Sequence, residues 1–166
     1  MQIQHILKHL FFLDWQIRRA FPQSTLDAIE SAIHSAEQIH GGEIRFVVEG
    51  GLEGRPLWLG QSTRERAIDV FSQLRIWDTE DNCGVLIYVQ LADRSVEIIA
   101  DRGIHARTGS ECWNIICREM EISFSKSDFQ VGALAGIRAT AGVIGRHFPP
   151  QNKRVNELSD APVILL

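Results

Sequence analysis

A basic surplus is missing from this chain: 17 Lys and Arg stand against 21 Asp and Glu, a formal net charge of -4. A nucleic-acid binder needs a basic face to displace counterions from phosphates, so that class is disfavoured. Cysteine is scarce too. Cys83, Cys112 and Cys117 are odd in number and none pair at CxxC spacing. Neither a disulfide framework nor a cysteine zinc site is suggested, and three free thiols fit a reducing compartment, the cytoplasm. No stretch reaches the ~18 uninterrupted apolar residues of a membrane span. The apolar N-terminal residues are interrupted by Lys8, His9 and Asp14, with no small-residue cleavage site after them, unlike a signal peptide. There is no GxSxG, no Rossmann fingerprint and no phosphate loop; Gly50-Gly51-Leu52-Glu53-Gly54 lacks the lysine and helix start that phosphate cradling needs. Internal repeats and low-complexity tracts are also lacking.

What is present is 166 residues, 45% of them hydrophobic, enough for one domain with a substantial core. Ile3, Ile6, Leu7, Leu10, Leu13 and Ile17 recur at helical spacing and predict an amphipathic helix from 3 to about 19, ended by Phe21-Pro22. So much apolar surface must be buried, against the chain's own domain or in a homo-oligomer. Ser24 is expected to start a second helix with Leu26, Ile29, Ile33 and Ala36 inward, stopped by Gly41-Gly42. A strand at Ile44 to Val48, a helix capped by Ser62 and running to Leu74, and a strand at Val85 to Leu91 form a βαβ unit with parallel strands. Ser110 and Asp128 each precede a further helix, the last rich in Gly and Ala and so suited to close packing. Val163-Ile164-Leu165-Leu166 has no partner identifiable from sequence.

The most informative stretch is Asp78 to Gly103. Val85 to Leu91 and Val96 to Ala100 are apolar runs separated by a short polar break, which reads as an antiparallel hairpin. With Asp93-Arg94 as the turn, facing residues sum to about 187, Leu86 faces Asp101, and the Asp78 to Asn82 loop lies beside Arg102, Gly103 and His105. Asp78, Glu80, Asp81 and Asp101 then converge at one end. Asp78, Asp81 and Asp101, with Asn82 as a neutral oxygen donor, are candidate ligands for calcium or magnesium, because hard cations take oxygen ligands from separate segments. The competing reading is a solvated turn with Asp101 paired to Arg102 or Arg107. His105 beside the carboxylates is a candidate acid, against an exposed loop histidine. His5 and His9 stand four apart but lack an accompanying Glu, and read as a surface pair. Cys83 has acidic neighbours, which disfavour a thiolate, and is expected to pack as a small apolar residue. Trp15, Trp58, Trp77 and Trp113 are expected in the core or an interface.

These residues also carry a resemblance. Ile76-Trp77-Asp78-Thr79-Glu80, Gly84-Val85-Leu86-Ile87-Tyr88, Val96 through Ile104, and Phe129 through Ile137 resemble, in that order, the TPM domain family over roughly residues 40 to 148. The resemblance implies an αβα sandwich in which helices cover a small mixed sheet. It divides the chain into an N-terminal helical segment (1-40), a TPM-like domain (41-148) and a C-terminal extension (149-166). Members are described as divalent-metal binders and as phosphatases. One departure matters: where many members carry Asp-Asn-Gly before the strand, this chain has Asn82-Cys83-Gly84. The leading expectation is a binding or accessory module with a divalent-cation site and an unidentified protein partner. The alternative is a metal-assisted phosphatase in which Asp81 activates water and His105 protonates the leaving group.

Overall fold

The computed structural model describes residues 9, 12–52, 57–150 and 156–166. Four strands form one mixed sheet: β1 (Glu43–Glu49), β2 (Gly84–Gln90), β3 (Ser95–Ala100) and β4 (Val163–Leu165), in the order β3-β2-β1-β4. Strands β1 and β2 are parallel, as the βαβ pattern requires, and β2 and β3 form the hairpin. Six described helices surround the sheet: α1 (Asp14–Ala20), α2 (Gln23–Glu37), α3 (Thr63–Gln73), α4 (Arg102–Thr108), α5 (Glu111–Ser125) and α6 (Phe129–His147). Among the described residues no helix is long and apolar enough to cross a membrane.

Strand alternation divides the sheet into two faces. Ile44, Phe46, Val48, Val85, Ile87, Val89, Val96 and Ile98 belong to the larger core with Ile29 and Ile33 of α2, Met120 and Phe124 of α5 and Ile137 and Ile144 of α6. Val47, Leu86 and Tyr88 belong to a second core with Ala67, Val70 and Phe71 of α3. Helices therefore cover both faces, and the architecture is an α/β sandwich. The small residues of α6 serve close approach: a Cβ on Gly136 would lie 2.2 Å from Sδ of Met120 on α5. The described part of the N-terminal segment packs on the domain through Ile17 and Phe21, whose ring meets Phe124 edge-on at 6.1 Å.

Several expectations are corrected. The helix expected over 3 to 19 does not run through: Leu13 is extended and starts α1, while residues 1–8, 10 and 11 lie outside the described residues, as do His5 and, in the loop after β1, 53–56. Helix α2 begins at Gln23 behind Pro22, so Ser24 is inside it. The hairpin register is displaced by two, with Leu86 facing Ile99. Its loop holds four residues, Leu91 to Arg94, because Arg94 takes a left-handed conformation (φ 53) and its N–H closes on Leu91 C=O at 3.1 Å. A shift of two keeps every side chain on its expected face. The C-terminal segment has a partner after all: Val163, Ile164 and Leu165 extend the sheet in parallel with Val47, Val48 and Glu49. Of the four tryptophans only Trp113 is in the core, with Trp15, Trp58 and Trp77 half or more exposed.

Candidate functional site

The first site lies where the hairpin ladder ends. Asp101 N–H donates to Gly84 C=O at 2.9 Å, the last bond before the chain turns into α4. Asp101 is the N-cap of that helix, its Oδ1 accepting from Arg102 N–H at 2.7 Å. This is ordinary capping chemistry for an aspartate. Its second oxygen differs: Oδ2 is buried with no hydrogen-bond partner among the described residues, on a residue only 5% exposed. A buried carboxylate oxygen without a donor or cation is costly, so the position calls for an explanation beyond capping.

The loop before β2 closes over this helix start. Gly103 N–H donates to Asn82 C=O at 3.1 Å, and a Cβ on Gly103 would stand 2.6 Å from that oxygen and 2.7 Å from Asp81 C=O. Only glycine permits the approach. Asn82 adopts a left-handed conformation (φ 52), which asparagine tolerates better than most residues that carry a Cβ. Its Oδ1 accepts from Arg102 Nη2 at 3.2 Å. Thr79 Oγ1 accepts from Cys83 N–H at 3.0 Å, and Cys83 is fully buried, as expected of a small apolar residue. Glu157 from the C-terminal segment accepts from Glu80 N–H at 2.9 Å, tying that segment to the loop.

The structure thus brings Asn82 onto Arg102 and Gly103, the residues that follow Asp101, but does not gather all the expected ligands. Asp78 and Asp81 are exposed, and Asp81 lines a 260 Å3 hollow with Arg107, His147 and Pro149. Arg107 donates to His147 C=O at 2.7 Å and lies over the Phe148 ring at 4.4 Å, so it is not Asp101's partner. His105 is exposed on α4 rather than on a loop. Among the described residues no group of three or more His, Cys, Asp or Glu side chains is placed to share a metal ion.

A second polar cluster, at the opposite end of β1 and β2, escaped the sequence reading. Glu49 is 5% exposed and receives Arg66 from α3 in a forked pair, Nη2 to Oε1 at 2.7 Å and Nε to Oε2 at 2.9 Å. Tyr88 Oη donates to the same carboxylate. Hydrogen bonding to Glu49 raises the Arg66 pKa, and burial above all lifts Tyr88 well beyond the ordinary phenol range. Arg66 is held as a cation and Tyr88 as a neutral donor. Nearby, His9 is buried rather than on the surface: its Nδ1 accepts from Leu52 N–H at 2.9 Å and its Nε2 lies 3.1 Å from Asp93 Oδ2. Such mutually satisfied groups hold a structure together more readily than they react. The available signals were Glu49 ending an apolar strand and Tyr88 inside one.

A family model described as TPM domain matches residues 18–143, most of the chain. The chain belongs to the TPM domain family. The TPM match begins well before residue 40 and takes in α2. The solved NMR structure of the BA42 protein from the psychrophilic bacterium Bizionia argentinensis is similar, at 28% identity and a TM-score of 0.74 over 85% of this chain and 92% of that one. A comparison with curated proteins finds no match. The expected TPM sandwich is therefore the fold of this chain.

Divalent cations, which the resemblance implies, can be tested against the donors present. Asp101 Oδ2 is an oxygen in need of positive charge, and Asn82 Oδ1 is a second hard donor close to the same helix start. In kind they suit calcium or magnesium, whose remaining positions water can fill. Arg102 competes, because its guanidinium already occupies Asn82 Oδ1.

Proposed function

We propose that this TPM domain is a binding or accessory module whose Asp101 end takes calcium or magnesium, with Asp78 and Asp81 of the neighbouring loop supplying further oxygen. The observation that carries the reading is the Oδ2 of Asp101, buried and unpartnered among the described residues. An oxygen in that position is relieved by a cation, and Asn82 stands ready as a neutral ligand once Arg102 swings away. The three free thiols fit a cytoplasmic protein. An unidentified protein partner and a homo-oligomer belong to the same reading.

Calorimetric titration of the whole chain with calcium and with magnesium tests it. Asp101→Asn keeps a competent N-cap but removes the charge, so binding should fall at least about tenfold while the fold stays intact. Arg102→Gln should tighten binding, since it removes the competing cation. Unchanged affinity in both variants would overturn the site.

The phosphatase alternative draws on the hollow beside the same loop, which Asp81 lines together with Arg107 and His147. A bound cation would offset the charge on a phosphate oxygen. Arg107 could orient the phosphate and Asp81 could accept the proton of attacking water, with His105 of α4 as the acid. Magnesium-dependent turnover of 4-nitrophenyl phosphate that disappears in Asp101→Asn would favour this reading; its absence beside measurable cation binding would leave the module.

A further inference from the structure

The turn end of the hairpin, remote from Asp101, opens on a 340 Å3 groove between α1, the Leu91 to Arg94 loop and the α5–α6 turn. That volume lies within the range of small-molecule sites. Trp15 and Arg19, four apart on α1, share a helix face and form one wall. Leu91 and Phe129 add apolar surface to the lining, and Arg94 is its second cation.

The polar groups of the described lining are all donors or neutral, and no carboxylate is among them. Arg94 spends one nitrogen on Ser125 C=O at a long 3.5 Å. Gln16 uses its side-chain oxygen on Leu13 N–H at 2.8 Å, which leaves its amide N–H groups. The adjacent groove between α1 and β4 offers the contrast, since there Arg18 is accompanied by Asp14. In a chain of net charge -4, two arginines in one described lining that holds no acid offer an anion two cationic partners, although Asp93 and Asp128 flank the groove along the chain.

We propose that this groove binds a small amphipathic carboxylate, its aromatic or branched body against Trp15, Leu91 and Phe129 and its carboxylate between Arg19 and Arg94. Guanidinium forks suit carboxylates in geometry as well as charge. The apolar surface selects against small inorganic anions, which would leave it wet.

The test uses the whole chain with 2-naphthoate and its neutral analogue 2-naphthalenemethanol as probes. Binding is followed by tryptophan fluorescence and by the Trp15 indole N–H signal in 1H-15N spectra. The carboxylate should bind at least about tenfold more tightly than the alcohol, the worth of one charge-assisted hydrogen bond. Arg19→Gln and Arg94→Gln, both at exposed positions, should each abolish most of that preference while leaving the amide spectrum otherwise unchanged. Equal affinity for the two probes, a preference that survives both substitutions, or the absence of a saturable change at Trp15 would overturn the proposal.

Discussion

Two demands meet on the Asp101 carboxylate, one oxygen capping α4 and the other buried without a partner among the described residues, whereas the Glu49 carboxylate is fully engaged by Arg66 and Tyr88. The difference predicts different responses to mutation. Glu49→Ala leaves the half-buried Arg66 without its counter-ion and the Tyr88 hydroxyl without its acceptor, and should cost about 2–3 kcal/mol in urea unfolding. Removing Arg66 as well should cost less than the sum of the two single changes, because the uncompensated charge is then gone. A strictly additive double mutant would contradict the pair. At this scale the sequence was readable where chemistry is local. Asp101, Asn82 and Gly103 were placed together from hairpin logic alone, even with the register off by two. Glu49, Arg66 and His9 are not, because their partners come from α3, β2, the hairpin loop and the residue after Gly51, and a polar residue in or at the end of an apolar strand is the one local hint.

Ser62 shows an element whose boundary was written in its residues. Its Oγ accepts from Glu65 N–H at 3.3 Å while Glu65 Oε2 accepts from Ser62 N–H at 2.8 Å, a reciprocal box that starts α3 where expected. Ser62→Ala should destabilise the chain by about 1 kcal/mol, measured as a shift in urea midpoint with an unchanged slope. A neutral substitution would mean that α3 is held by packing alone. Helix α4 was invisible by contrast, being seven residues long with Gly103 in its first turn, too short and too weak in propensity to show a period. Strand β4 was hidden for another reason: its pairing with β1 is parallel and joins segments more than a hundred residues apart, whereas local pattern reports only a strand's own alternation. Arg45 Nη1 donating to Ala161 C=O at 2.9 Å and Glu43 Oε2 accepting from Leu158 N–H at 3.3 Å anchor that return.

The whole molecule is a TPM sandwich with a polar cluster toward each end of the hairpin: the Asp101 carboxylate that caps α4, and, near the turn, Arg94 with Arg19 of α1. Its stability should also depend on pH at the alkaline side. Burial above all, with Glu97 adding to it, pushes the Cys117 thiol from 9.0 up to about 12. The folded chain keeps a proton there that the unfolded chain gives up, so stability is intact below about 9 and falls as pH rises toward 12. The urea midpoint should drop between pH 8 and pH 10, and drop less in Cys117→Ala; parallel losses would assign the effect elsewhere. The most direct measurement of the central claim is a 1H-15N titration of the whole chain with calcium and magnesium. Saturable shifts confined to Asn82, Asp101, Arg102, Gly103 and the Asp78 to Asp81 loop are the predicted result, and their absence at millimolar cation, or their appearance only at other carboxylates, would contradict it.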